Sequence, residues 1–135
     1  HLLDSTIKEN IIFGELSKDI DDDRFNEALD ISGLNQLIKS SDDGVNTNIG
    51  EQGKKISGGQ KQRIILARAI YSNKKVLFFD EATNALDEKS ENLIYDKIIN
   101  NIKNKTIIVV SHRKSLRNRF KNIYEIKNGK IRKIG

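Results

Sequence analysis

The sequence contains no cysteine, proline, methionine or tryptophan among its 135 residues. The absence of cysteine excludes disulfide bonds and any site that depends on a thiolate. No apolar run approaches the roughly 20 residues of a membrane-spanning helix, and no segment has the pattern of a signal peptide. A hydrophobic fraction of 36% beside a charged fraction of 32% is typical of a soluble segment that buries one core.

Charge is divided unevenly along the chain. Residues 1–50 hold 4 Lys or Arg against 11 Asp or Glu, whereas residues 51–135 hold 20 against 8. A basic half can bind nucleic acid or another anionic partner. The basic residues are scattered, without the interleaved aromatic side chains that bind single strands, so we expect no nucleic acid as a partner.

Hydrophobic periodicity predicts a helical first part and an alternating second part. We expect helices over about 6–13, 24–32, 35–39, 58–71, 88–102 and 115–120, with Asp23 capping the second and Gly33 ending it. Strands are predicted at 76–79 and 106–110, and a hairpin at 123–127 and 130–134 around Asn128-Gly129. Strands separated by helices favour a parallel sheet. The expected inward-facing residues of the two long helices are Ile64, Ile65, Leu66, Ala69, Leu93, Ile94, Ile98 and Ile102.

The stretch Ser57-Gly58-Gly59-Gln60 opens the predicted helix over 58–71. Ser57 can cap that helix while Gln60 reaches back in a capping box, and the two glycines let a ligand approach the backbone. A helix start carries partial positive charge and unpaired N–H groups, which suit a terminal phosphate. An ordinary capped helix explains the same four residues without a ligand.

Two adjacent carboxylates, Asp80 and Glu81, follow the apolar run at 76–79. An apolar run without alternation predicts a strand buried on both faces, and ligands bind beyond the carboxyl ends of such strands. If the strand geometry persists, the two side chains point to opposite sides. Asp80 would then hold Mg²⁺, and Glu81 would polarise an attacking water. A helix cap or a solvated turn is the alternative interpretation.

His112 follows the second predicted strand, as Asp80 follows the first. A single histidine is usually structural or merely exposed. Because the carboxyl ends of parallel strands lie at one edge of a sheet, Asp80 and His112 could border one crevice. A histidine there could contact a γ-phosphate and position water.

In their order and spacing these elements resemble the ATP-binding-cassette ATPases. Ser57, Gly58, Gly59 and Gln60 are similar to the signature motif, and residues 76–80 to Walker B. Glu81 matches the catalytic glutamate, His112 the switch histidine, and residues 84–87, which end in Asp87, the D-loop. The resemblance implies that ATP and Mg²⁺ are bound. It assigns catalysis to Glu81 and His112, the metal to Asp80, and nucleotide contacts to Ser57, Gly58, Gly59, Gln60 and Asp87.

Two further segments resemble the exporter type of this family. The first is similar to the T-x-x-G-E-x-G loop of exporters and supplies Thr47, Gly50, Glu51 and Gly53. In exporters this loop touches the coupling helices of the transmembrane domain. Residues 4–11 are similar to the exporter sequence after the Q-loop, and an amphipathic helix start explains them equally. No G-x-x-x-x-G-K-[ST] pattern is present, so the expected identity is the C-terminal part of a nucleotide-binding domain.

The resemblance implies an α/β fold: a partial P-loop NTPase with a helical subdomain and an incomplete, mainly parallel sheet ending in a β-hairpin. Residues 1–74 would be the helical subdomain, and residues 75–135 part of the RecA-like core. The parent would be an exporter ATPase at the cytoplasmic face of a membrane, closing head to tail on a second nucleotide-binding domain, and the isolated chain would be inactive. Alternatives are a soluble cassette ATPase of DNA repair or translation, and a non-enzymatic binding or dimerisation module.

Overall fold

The computed structural model describes residues 1–14 and 20–135. The helices are α1 (Ile7–Ile11), α2 (Asp22–Ser32), α3 (Asn35–Ser40), α4 (Gly58–Tyr71) and α5 (Glu88–Asn101), with short 3₁₀ turns at Gly44–Asn46, Glu51–Gly53 and Lys114–Arg119. The strands are β1 (Val76–Asp80), β2 (Thr106–Val110), β3 (Tyr124–Lys127) and β4 (Lys130–Lys133). Within the described ranges, no helix combines the length and apolar character needed to cross a bilayer.

The order of helices and strands confirms the predicted mixed fold. β1 and β2 pair in parallel and α5 connects them, while β3 and β4 form an antiparallel hairpin. The hairpin turn has φ 51° at Asn128 and 70° at Gly129, as a two-residue primed turn requires. The boundary between residues 74 and 75 stays a prediction, and residues 15–19 of the expected helical part lie outside the described residues.

Local signals explain where the helices begin and end. Thr6 caps α1 in a capping box with Glu9, and Gly33 ends α2 in the left-handed conformation at φ 70°. The expectation that Asp23 caps α2 is wrong, because Asp21 accepts the hydrogen bond from the Arg24 amide and the helix begins at Asp22. Three consecutive aspartates offer equivalent caps, and the helix takes the earliest.

An apolar core joins the helices to β1. It includes Ile7, Leu29, Ile64, Leu77 and Ile98, all of them buried. The inward positions predicted for Ile65 and Leu93 are wrong, since these side chains are 43% and 56% exposed. On each helix the buried residues repeat every three or four positions, and these two residues fall beside that stripe.

Burial of β1 on both faces is also a wrong expectation. Leu77 and Phe79 are buried, whereas Val76 and Phe78 are more than half exposed. The apolar run predicted a strand covered on two sides. In the described ranges the parallel sheet has only two strands, and one of its faces is open.

A buried amide, Asn10, ties the N-terminal segment to α1 and α4. Its side chain accepts hydrogen bonds from the Leu3 amide at 2.8 Å and from the Arg68 guanidinium at 3.0 Å, and it donates to the carbonyls of Leu3 and Thr6. A buried amide needs partners for both its oxygen and its nitrogen, and Asn10 has them. These partners account for the full burial of a polar side chain at position 10.

Candidate functional site

The signature turn, residues 57–60, has the capping-box geometry that its sequence predicts. The Gln60 amide donates to Oγ of Ser57 at 3.2 Å, and the Ser57 amide donates to Oε1 of Gln60 at 2.8 Å. Ser57 and Gly58 are exposed at the start of the 14-residue helix α4. The N-terminal end of this helix therefore faces outward. Free amides and partial positive charge accumulate at such an end.

The signature turn packs against the D-loop segment, residues 84–87, of the same chain. A Cβ atom placed on Gly59 would lie 3.1 Å from Cδ2 of Leu86 and 3.3 Å from the carbonyl oxygen of Ala85. One helical turn further on, Oε1 of Gln62 accepts a hydrogen bond from the Ala85 amide at 2.8 Å. A Cβ at Gly59 would therefore be crowded by the D-loop segment, and the hydrogen bond to Gln62 helps to hold the backbone that approaches it.

The carboxyl ends of β1 and β2 lie side by side. Asp80, the last residue of β1, pairs in register with Val110, and His112 follows two positions later. Nε2 of His112 lies 2.9 Å from Oε1 of Glu81. The structure thus brings the two predicted catalytic side chains into direct contact at the edge of the sheet where the sequence placed them.

Glu81 leaves the strand conformation although its backbone stays paired. Its amide donates to the Val110 carbonyl at 3.0 Å, but its φ is 47°, in the left-handed region. A non-glycine residue held there costs roughly 1–3 kcal/mol, and such residues cluster at functional sites. Strand geometry therefore does not persist past Asp80, and the Glu81 carboxylate turns toward His112 and Asn84, whose Nδ2 donates to Oε2 of Glu81 at 2.5 Å.

Asp80 is the candidate metal ligand, and its carboxylate is exposed at the end of β1. The described residues contain no cluster of three or more His, Cys, Asp or Glu side chains that could hold a metal. Mg²⁺ commonly uses one or two carboxylates and completes its shell with water and substrate phosphates. One exposed carboxylate at the end of a strand fits that mode.

Asp87 lies at the end of the D-loop segment and caps α5. Its carboxylate accepts a hydrogen bond from the Ser90 amide at 2.9 Å. Hydrogen bonds from the side chain and the backbone of Ser90 lower the pKa of Asp87 below its ordinary value. The structure accounts for Asp87 as a helix cap, and its expected nucleotide contact stays a prediction.

Sequence reasoning missed Arg113, the residue after His112. Its guanidinium donates to Oε2 of Glu91 at 3.0 Å and to the carbonyls of Asn84 and Leu86 at 3.2 and 2.8 Å. Glu91 is fully buried and also accepts a hydrogen bond from the Thr83 hydroxyl at 2.5 Å. One signal in the sequence could have indicated it: Glu91 is a charged residue on the apolar stripe of a predicted helix. A carboxylate buried there requires a cationic partner.

The exporter-like loop, residues 47–53, lies against the start of α1. The Ile7 amide donates to the Thr47 carbonyl and the Ile49 amide to the Ser5 carbonyl, both at 3.0 Å. Gly50 and Gly53 take φ values of 73° and 71°, which favour glycine. The two segments that resemble exporters are therefore hydrogen-bonded to each other, and the Glu51 side chain between the two glycines is exposed.

The predicted site residues are exposed or half-buried at the surface. Two clefts of the described structure have volumes of about 460 and 750 Å³. One lies along α5 and the other between the start of α2 and Lys105, and no predicted site residue lines either. An open site fits a reaction centre that a second protein surface completes.

The chain is similar in sequence and fold to proteins of known family. A family model described as ABC transporter matches residues 1–84. The chain is 40% identical over 135 residues to an ATP-dependent lipid A-core flippase of Francisella tularensis subsp. tularensis (strain FSC 198), and covers 22% of that protein. It is 40% identical over 134 residues to ABC transporter B family member 13 of Arabidopsis thaliana, covering 11% of it.

A solved structure, a bacterial Atm1-family ABC exporter with ATP bound, has the same fold in the matched region. The TM-score is 0.84 and the identity 32%, over 95% of this chain and 22% of the exporter chain. The protein thus spans about a fifth or less of the length of these relatives. Because the family model covers more than half of the 135 residues, the chain belongs to the ABC transporter family.

Proposed function

We propose that the protein to which this chain belongs is an ATP-driven exporter, and that the chain supplies the signature, Walker B, D-loop and switch-histidine parts of its nucleotide-binding domain. The observation that carries the proposal is the 2.9 Å contact between Glu81 and His112 at the joined ends of β1 and β2. Residues 1–74 act as the helical subdomain and residues 75–135 as part of the ATPase core.

In this proposal Glu81 and His112 serve the nucleotide bound to their own subunit. Glu81 orients the attacking water and accepts its proton, while His112 contacts the γ-phosphate and holds the carboxylate. Asp80 holds Mg²⁺, which spreads the phosphate charge when it is bound. The left-handed φ of 47° at Glu81 supports this role, because such residues cluster at functional sites, and the contacts with His112 and Asn84 hold the carboxylate.

The signature turn serves the nucleotide of the opposite subunit. Ser57 and Gly58 are exposed at a helix start, so Ser57, Gly58, Gly59 and Gln60 are available to a phosphate presented from outside. Two domains therefore close head to tail over ATP, and stabilisation by α4 arises only after closure. Asp87 in the D-loop segment contributes at the same interface.

Export requires a route from this site to a transmembrane domain. Residues 47–53 supply it, since they present the exposed Glu51 and are hydrogen-bonded to the segment that begins α1. The coupling helices of the transmembrane domain contact this loop. The domain consequently works at the cytoplasmic face of the membrane and is attached there through the rest of the protein.

The test is phosphate release by the full-length protein and its Glu81→Gln variant. A positioned general base contributes about 10²- to 10⁴-fold in rate, so kcat should fall by that factor while ATP binding, measured by nucleotide titration, is retained. The matched control is Glu125→Gln, which removes an exposed carboxylate from β3 and should leave kcat unchanged. Near-normal turnover of Glu81→Gln would exclude Glu81 as the base.

A second measurement separates the alternatives. The 135-residue chain alone should not hydrolyse ATP, because its sequence has no phosphate-binding P-loop pattern. Steady hydrolysis by the chain, lost in Glu81→Gln, would overturn that expectation. Nucleotide-dependent association with a domain that carries Walker A supports the composite site, whereas association independent of nucleotide favours a non-enzymatic binding module.

A further inference from the structure

Arg113 joins three acceptors that belong to two different parts of the fold. One nitrogen of its guanidinium donates to the buried Glu91 of α5, and the other donates to the carbonyls of Asn84 and Leu86 in the D-loop segment. A guanidinium presents its N–H groups in a fixed planar fork, so these three bonds fix the position of residues 84–86 relative to α5. A lysine ammonium has no such fork and could keep only part of this set.

The same segment holds the proposed general base. Nδ2 of Asn84 donates to Oε2 of Glu81, whose Oε1 lies 2.9 Å from His112. His112 precedes Arg113 in the chain, so the contacts form a closed ring through His112, Glu81, Asn84 and Arg113. If the Asn84 backbone moved, its side-chain amide would be withdrawn from the Glu81 carboxylate. His112 alone would then orient that carboxylate.

We propose that Arg113 is a positioning residue for ATP hydrolysis: it holds the D-loop segment so that Asn84 keeps the Glu81 carboxylate in place. The inference rests on the proposed role of Glu81. Arg113 acts through Asn84, without touching nucleotide, so its loss lowers kcat and leaves the KM for ATP unchanged. Misplacement of a catalytic group by about 1 Å can cost on the order of 100-fold in rate, so we expect a kcat reduction of roughly 10- to 100-fold.

The test must distinguish two roles of Arg113: holding the D-loop segment in position and neutralising the buried Glu91. Arg113→Met leaves a buried carboxylate without its cation and is expected to lower the melting temperature as well as kcat. The double variant Arg113→Met/Glu91→Gln removes that uncompensated charge, while the amide oxygen of the new side chain can still accept a hydrogen bond from the Thr83 hydroxyl. We expect the double variant to recover the melting temperature and to keep the low kcat. Arg113→Lys should retain the fold and also show a low kcat.

These measurements use the full-length protein. The control is Arg117→Met, which replaces an exposed arginine in the 3₁₀ turn that follows Arg113. Faster hydrogen–deuterium exchange of the amides at 84–86 in Arg113→Lys is the accompanying structural readout. Recovery of wild-type kcat in the double variant would overturn the inference, because Arg113 would then serve only to neutralise Glu91. Absence of ATP hydrolysis by the wild type would instead reject the proposed function.

Discussion

The two glycines of the signature turn form a matched pair, because substitution by alanine should affect stability differently at each. Both begin α4, where alanine is favoured over glycine by up to about 1 kcal/mol. A Cβ on Gly58 would lie 3.8 Å from Cβ of Ala85, an ordinary contact. A Cβ on Gly59 would lie 3.1 Å from Leu86 and 3.3 Å from the Ala85 carbonyl, which Gln62 and Arg113 help to hold in place. Crowding of this kind costs about 1–3 kcal/mol.

We therefore expect Gly58→Ala to be neutral or to stabilise by up to about 1 kcal/mol, and Gly59→Ala to be less stable than Gly58→Ala by about 1–3 kcal/mol. The assay is urea unfolding followed by far-UV circular dichroism, at one protein concentration for all variants. With a slope of about 2 kcal/mol/M, the two midpoints should differ by roughly 1 M. Equal midpoints, or a higher midpoint for Gly59→Ala, would refute the packing argument.

Three further substitutions test other parts of the structure. Asn10→Ala should lower the free energy of unfolding by about 1–3 kcal/mol, because it removes a buried amide that bonds the Leu3 backbone and the Arg68 guanidinium; an unchanged urea midpoint would contradict this. Gly33→Ala should lower the urea midpoint more than Gly129→Ala: both glycines have φ 70°, but only the Cβ at Gly33 would displace the Arg63 guanidinium, which donates to the carbonyls of Ser32 and Gly33; similar midpoints for the two variants would show that this displacement has no measurable cost. Asp87 has a lowered pKa, so its contribution to stability is complete above the ordinary aspartate value of 3.8 and is lost as the pH falls below it. Asp87→Asn should therefore flatten the acid limb of a stability–pH curve, and an identical limb in both proteins would exclude this contribution.

The elements that the sequence predicted well carry strong local signals. The helix Gly58–Tyr71 and the strand Thr106–Val110 have the predicted bounds, and the hairpin lies around Asn128-Gly129. A capping box, a β-branched run and a primed-turn dipeptide each act over a few residues, so each can be recognised without tertiary information. The start of α2 was misplaced because adjacent aspartates cap equally well.

The contacts of the site could not be predicted from spacing. The left-handed φ of Glu81 and the reach of Arg113 to Asn84 depend on how β1, β2 and α5 pack together. The sequence placed Glu81 and His112 at one sheet edge, because that follows from parallel strand topology alone. It did not indicate which side chains hold them there.

Three polar side chains of α4 make backbone contacts that sequence periodicity also could not predict. Gln62 accepts from the Ala85 amide, Arg63 donates to the carbonyls at the end of α2, and Arg68 donates to the Asn10 carbonyl at 2.6 Å. By the 3.6-residue period Arg63 lies within the stripe of buried residues, and Gln62 and Arg68 lie at its two edges. Each of the three binds a different neighbouring backbone segment, and burial lowers the pKa of Arg68. Hydrogen bonds to the backbone add directional constraints to those of the close-packed apolar core. The helix that presents the signature turn is therefore positioned by both its apolar and its polar residues, and substituting Gln62 or Arg63 should move that turn although little apolar area is lost.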